Sequence, residues 1–256
     1  MKPSGNTILI TGGGSGIGEA LAHRLHDLGN VVIVSGRRRD ALERAIAGRE
    51  NMHAIPLDVE RPQAVAEFAR QLVADHPGLN VLINNAGIMR FEALDHERDL
   101  SDAEETVATN LLGPIRMTNA LIDHLAGQDG AAIVNVTSGL AFVPLVDTPT
   151  YCATKAAIHS YTVSLREALK GRVEVIELAP PGVQTDLTPG QSTRPGYQPL
   201  DEFIDEAMRL LSAQPTPPEI LVERVRFLRF AEAEHRFDET LTQLNHSARQ
   251  ARAAST

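Results

Sequence analysis

Short apolar runs alternate with stripes of helical period along most of the chain. Ile8-Leu9-Ile10-Thr11 is a brief unbroken run, the pattern of a strand buried on both faces. Ile17, Leu21, Leu25 and Leu28 follow on one face of a predicted helix, which Gly29 ends. The alternation then repeats. Residues 31–35, 53–59, 80–83, 131–136 and 173–178 read as strands two to six, and Val65, Phe68 and Leu72 mark the inner face of an intervening helix. Ser101-Asp102-Ala103-Glu104 has capping-box form and opens a long predicted helix through Val107 and Leu111, interrupted at Gly113-Pro114. Thr216-Pro217-Pro218-Glu219 predicts the cap of another helix carrying Leu221, Val225 and Leu228, and a shorter helix is expected through Phe237, Leu241 and Leu244.

Strands alternating with helices predict one α/β domain, and 256 residues suffice for one sizeable core. Residues 186–215, with several prolines and glycines followed by Phe203, Ile204, Met208 and Leu211, suit a substrate lid, and residues 216–245 read as C-terminal helices. The formal net charge of −9 argues against nucleic-acid and membrane surfaces and favours small-molecule work. The short apolar run before the first glycines is too brief for a signal peptide or a span. With Cys152 as the single cysteine, a cytoplasmic location is expected. Cys152 reads as a packing residue. His23 and His26 lie one turn apart without carboxylate or cysteine company, a solvated face rather than a metal site, so no metal is expected.

Candidate chemistry centres on Tyr151 and Lys155, four positions apart and therefore on one helix face. A phenol is a weak acid near neutrality, and a neighbouring ammonium would shift it toward useful general acid-base catalysis. A strand, then Gly12-Gly13-Gly14-Ser15-Gly16-Ile17-Gly18, then a helix N-terminus make an anion site: glycines admit a close backbone approach, and the helix dipole attracts phosphate. About twenty residues on, after strand two, stand Arg37 and Arg38 instead of an acid, which favours a 2′-phosphate, and hence NADP(H) over NAD(H).

The Thr-Gly-x-x-x-Gly-x-Gly spacing resembles the short-chain dehydrogenase/reductase family. Asn84-Asn85-Ala86-Gly87, Asn110, Ser138 thirteen residues before Tyr151, Lys155 and the Pro-Gly-Val-Gln-Thr stretch match its motifs in order, over residues 7 to about 187. The C-terminal part resembles the DltE-like oxidoreductases of that family. The resemblance implies a doubly wound parallel sheet (Rossmann fold) of six strands, order 3-2-1-4-5-6, with no seventh strand because a Val-Asp-Gly-Gly stretch is missing near the end. It implies Asn110, Ser138, Tyr151 and Lys155 as catalytic residues. Gly12, Ser15, Gly16, Ile17, Gly18, Arg37, Arg38, Asp58, Val59, Asn85, Ala86, Gly87, Tyr151, Lys155, Pro181, Val183 and Thr185 would hold the cofactor. Pro181 stands where the family usually has glycine. Asn110 would support a proton relay at a locally broken helix.

The expected activity is hydride transfer between NADP(H) and a small carbonyl or alcohol. Met89, Phe91, Leu140, Phe142 and Val143 are expected to wall an apolar pocket. The alternatives are a catalytically idle NADP-binding sensor or scaffold, and, less favoured, a sugar-nucleotide epimerase or dehydratase. A homodimer through the helix carrying Leu111, Leu112, Ile115 and Leu121 is expected, since these spread over more than one face.

Overall fold

The computed structural model describes residues 1–253. A parallel sheet forms from β1 (Thr7–Thr11), β2 (Val31–Gly36), β3 (Met52–Pro56), β4 (Leu79–Asn84), β5 (Ala132–Val136), β6 (Glu174–Leu178) and β7 (Glu219–Ile220), in the order β3-β2-β1-β4-β5-β6-β7. Each central strand is apolar on both faces because helices cover both. Ile8, Ile10, Val32, Val34, Val81 and Ile83 point into one core with Leu21 and Leu25 of α1 (Gly16–Asp27) and Leu42 of α2 (Arg39–Ile46). Leu9, Ile33, Leu82 and Ile133 point into the other, against Phe68 and Leu72 of α3 (Pro62–Asp75). Truncating one of these fully buried leucines to alanine is worth about 2–5 kcal/mol of stability.

The sheet overturns the expectation of six strands and no seventh. β7 pairs with β6 in parallel, Glu177 opposite Glu219 and Leu178 opposite Ile220. Two residues between Pro217-Pro218 and a helix carry no readable strand period, which is why the pattern missed them. The edge is held instead by bonds from Glu177 N to the Pro218 carbonyl (2.9 Å) and from Ala179 N to the Ile220 carbonyl (3.2 Å).

Helix boundaries shift for similar local reasons. The Thr216-Pro217-Pro218-Glu219 stretch leads into β7 rather than capping a helix; α8 begins later, at Glu223. Ser101 is not an N-cap, since Asp99 accepts from both its N–H (2.9 Å) and its hydroxyl (3.0 Å) as α4 (Ser101–Val107) begins. The predicted break at Gly113-Pro114 is a single π-helical turn, Ala108–Leu112, that joins α4 to α5 (Gly113–Leu125) without interruption. The long α6 (Pro149–Ala168) follows β5, α7 (Leu200–Leu211) precedes β7, and α8 (Glu223–Arg229) and α9 (Phe237–Ala253) complete the described chain. α9 has 17 residues, longer than its periodicity suggested. Phe203, Ile204, Ala207 and Leu211 of α7 lie in the main core beside α1. Among the described residues no helix is long and apolar enough to cross a membrane, and no cluster of metal-ligating side chains occurs.

Candidate active site

In the order β2-β1-β4 the chain reverses its winding beside β1, which opens a crevice at the C-terminal ends of the strands. The glycine turn lies there. Gly12 has φ +68°, and a side chain on it would run into the Ala86 backbone. A Cβ on Gly18 would overlap the Gly12 carbonyl and the Asn85 amide, so helix and turn meet only because both lack side chains. The Asn85 amide donates to the Thr11 and Gly12 carbonyls (3.0 and 3.1 Å), while the Thr11 hydroxyl accepts from Asn85 N and Ala86 N (each 3.1 Å). These bonds lock the ends of β1 and β4 together. Ser15, N-cap of α1, makes no capping bond through its side chain, which leaves the first N–H groups of the helix to face an anion.

At one end of the crevice Arg37 and Arg38 stand apart in their chemistry. Arg37 is held by two carboxylates, Glu60 (3.1 Å) and Glu105 (3.2 Å). Arg38 donates only to the neutral Ser15 hydroxyl (3.2 Å). Asp58, Val59 and Thr109 line the same end, and the buried Ser35 Oγ there has no hydrogen-bond partner. Glu60 and Glu105 gave no signal in the sequence, because their meeting with Arg37 joins segments far apart in the chain.

A cleft of about 750 Å³ continues past the glycine turn to Ser138, Tyr151 and Lys155. Gly12, Ser15, Gly16, Ile17, Gly18, Arg37, Arg38, Asn85, Ala86, Gly87, Pro181, Val183 and Thr185 all line it. Ser138 leaves β5 in extended backbone, its hydroxyl accepts from Leu140 N at 3.1 Å, and it lies beside the Tyr151 phenol. Lys155 sits one turn along α6, its Nζ 5.6 Å from the centroid of the Tyr151 ring and donating to the Val136 carbonyl at 2.8 Å. Burial dominates both groups. It pushes the Tyr151 phenol well above its ordinary value, against the smaller opposing effect of the Ser138 hydrogen bond, and lowers the Lys155 ammonium to about 8. The shift of the phenol is therefore upward, opposite to what a neighbouring ammonium alone would give.

Asn110 lies in the π turn but outside the cleft lining. Its carboxamide closes on Ile88, Oδ1 accepting from Ile88 N (2.9 Å) and Nδ2 donating to Ile88 O (2.8 Å), with a longer bond to the Thr154 hydroxyl (3.4 Å). It thus ties the loop after Gly87 to α6.

Several site residues were invisible to motif reading. Gln191, almost fully buried, donates to the Val183 carbonyl (2.9 Å) and the Thr185 hydroxyl (3.2 Å) and fixes the loop beyond β6. Glu92 accepts from Thr150 N (3.1 Å), the Thr150 hydroxyl (2.8 Å) and Arg98 (2.9 Å), and so caps the first turn of α6 next to Tyr151. Single residues with remote partners leave no spacing to find. His23 donates through Nε2 to the Ala45 carbonyl (2.8 Å) and His26 through Nε2 to the Glu50 carbonyl (2.5 Å), while His26 Nδ1 lies near Asp27 (3.4 Å) and Arg49 (3.3 Å).

The family model described as short chain dehydrogenase matches residues 6–195. The chain belongs to the short-chain dehydrogenase family. The uncharacterized oxidoreductase DltE of Bacillus subtilis (strain 168) is 45% identical over 190 residues, 73% of this chain and 75% of that protein. Among solved structures, an alcohol dehydrogenase of the archaeon Thermococcus sibiricus, complexed with 5-hydroxy-NADP, superposes with TM-score 0.76 at 27% identity, covering 86% of this chain and 97% of the other. A 3-ketoacyl-(acyl-carrier-protein) reductase of Brucella melitensis, complexed with NADH, gives TM-score 0.75 at 27% identity over 84% and 93%. This short-chain dehydrogenase is thus an oxidoreductase with a DltE-like sequence.

Proposed function

We propose that this oxidoreductase interconverts small carbonyls and alcohols with NADP(H). The observation that carries the reading is the buried constellation of Ser138, Tyr151 and Lys155 at the end of a dinucleotide-sized cleft. The residues present fit such a cofactor. Gly12, Gly14, Gly16 and Gly18 bring bare backbone to the cleft where a pyrophosphate would lie, the N-terminus of α1 has no side-chain cap, and a 2′-phosphoribose would be read by Arg38 and by Ser35 Oγ, which has no hydrogen-bond partner among the described residues. Asp58 and Val59 would border the adenine, and Pro181, Val183 and Thr185 the nicotinamide. The bound cofactor would supply or accept the hydride.

The chain's own residues then do three things. Ser138 donates a hydrogen bond to the carbonyl oxygen and so favours the charge that develops there. Tyr151, kept protonated by burial, transfers its proton to that oxygen in reduction and recovers it in oxidation. Lys155 holds its charge beside the ring, and Asn110, which fixes the loop after Gly87, supports proton resupply. Residues 186–215 are read as the substrate lid: Asp186, Leu187, Gln191, Ser192 and Leu200 line the cleft, and α7 anchors them in the core. A cytoplasmic homodimer completes the reading.

Tyr151→Phe tests it. NADPH consumption with a panel of small ketones and aldehydes should fall by about a hundredfold or more, with NADPH binding retained. Near-normal turnover by the variant would remove Tyr151 as the acid, and NADPH binding by the unaltered protein without turnover of any carbonyl would favour the idle sensor.

A further inference from the structure

The C-terminal helix α9 carries Phe237, Leu241, Leu244 and Ala248 at spacings of four, three and four, a single apolar stripe. The stripe does not rest on one surface. Phe237, Leu241 and Leu244 pack against a cluster of Val143, Leu228 and Ala231. Ala248 packs against a separate one, built of Met89, Leu145, Tyr151 and Cys152, which Leu140 also joins. The last position of the stripe therefore meets the cluster that contains the reacting ring.

Asn245, one turn along from Leu241, fixes this seat. Its Oδ1 accepts from Val146 N at 2.7 Å, and its Nδ2 donates to the Pro144 carbonyl at 3.1 Å and the Leu241 carbonyl at 2.9 Å. One carboxamide thus engages both a donor and an acceptor of the 144–146 segment, across about a hundred residues of chain. Leu145, between those two partners, is itself a member of the Tyr151 cluster, and its N–H and carbonyl both bond to Cys152 Sγ (3.3 and 3.6 Å). Cleft and cluster share Tyr151: Ser138, Tyr151 and Lys155 line the former, while Met89, Leu145 and Cys152 belong with Tyr151 to the latter, and Leu140 and Ala248 pack against it. The side chains of Met89, Leu140, Leu145 and Ala248 carry no charge and no hydrogen-bond donor, and the Met89 thioether is a weak acceptor at most.

We propose that α9 forms the substrate-side wall of the active site, that Ala248 limits the size of the carbonyl substituent admitted beside Tyr151, and that Asn245 is the positioning residue holding the wall. The substrate class is a carbonyl with a small, apolar substituent. This rests on the reading of Tyr151 as the proton donor. A wall completed by a helix about a hundred residues downstream of Tyr151 lets substrate choice change without touching the cofactor cleft.

The experiment is a series of methyl ketones of increasing chain length, with kcat and KM determined for the unaltered protein and for Ala248→Phe, Ala248→Gly, Asn245→Ala and Asn245→Asp, and NADPH affinity measured as the check on folding. Ala248→Phe should lower the long-to-short ratio of kcat/KM by roughly tenfold or more, because one or two methylenes in an apolar pocket discriminate on that scale. Ala248→Gly should shift the ratio the other way. Asn245→Ala should raise KM more for long ketones than for short ones with kcat less affected, and Asn245→Asp, which keeps the acceptor for Val146 N, should restore part of the loss. Ratios unchanged in both Ala248 variants, with NADPH affinity intact, would overturn the wall while leaving the reductase reading standing. Failure of the unaltered protein to reduce any ketone in the series would overturn the reductase reading and this inference with it.

Discussion

Lys155 shows what the site asks of a single residue. Its ammonium is buried against one backbone acceptor, and desolvation lowers its pKa from 10.5 to about 8. In the unfolded chain the group keeps its ordinary value, so the folded protein binds fewer protons between those limits, and stability rises as pH rises from about 8 toward 10.5. Below pH 8 the full penalty is present, on the order of 3 kcal/mol. Lys155→Met should therefore melt several degrees higher than the unaltered protein at pH 7, with the difference shrinking above pH 8, while carbonyl reduction collapses; calorimetry across pH and a turnover assay check both halves. The two arginines make an equally local contrast. Arg37 already pairs with Glu60 and Glu105, whereas among the described residues the Arg38 side chain bonds to a hydroxyl alone. Arg38→Ala should weaken NADPH binding by about ten- to a hundredfold, the loss of a charge-assisted bond, with little change for NADH. Arg37→Ala should do less, and equal affinities for both cofactors in the unaltered protein would contradict the assignment; fluorescence titration gives all of these constants.

At the scale of elements, the buried Glu177 on β6 joins three pieces of the site. It accepts from the Thr137 hydroxyl (2.7 Å), next to Ser138 at the end of β5, and pairs with His159 (2.8 Å), two turns beyond Tyr151 on α6. The hydrogen bond and charge of Glu177 raise the His159 pKa, with burial and Arg229 opposing and Glu219 assisting. A raised folded value means that the pair's contribution is complete below the ordinary imidazole range near 6.5 and is lost as pH climbs through the folded value. His159→Gln should thus be less stable than the unaltered protein by about 1–3 kcal/mol near pH 6, and the gap should narrow at alkaline pH, as denaturant melts at several pH values will report. Legibility divides along the same lines. Strands β1 to β6, the glycine turn and the Ser138, Tyr151 and Lys155 spacing could be read because each repeats a period or a motif within a few residues. The two residues of β7, the π turn around Asn110, and the bonds of Glu92, Gln191 and Asn245 could not, since their reasons lie in partners distant along the chain.

At the scale of the whole molecule, the homodimer proposed above would form through the outer faces of the π turn, α5 and α6. Leu112 and Val163 stand exposed there, 38% and 47%, and Leu111 and Ile115 are half-buried, whereas Leu121 belongs to the protein's own core. Light scattering over a range of concentrations should give the mass of a dimer, and Leu112→Glu should shift it toward monomer; a stable monomer in the unaltered protein would rule this face out. The other flank of the sheet behaves differently. An open edge is a template on which another chain can add a strand, and a long flat one invites fibrous or amorphous self-association. Here the edge beyond β6 is β7, two residues long, preceded by Pro217 and Pro218, which have no N–H to offer. Its brevity leaves an incoming strand almost nothing to pair with, so the feature that hid the strand from the sequence also guards this edge, the one opposite β3, against growth from one molecule into the next.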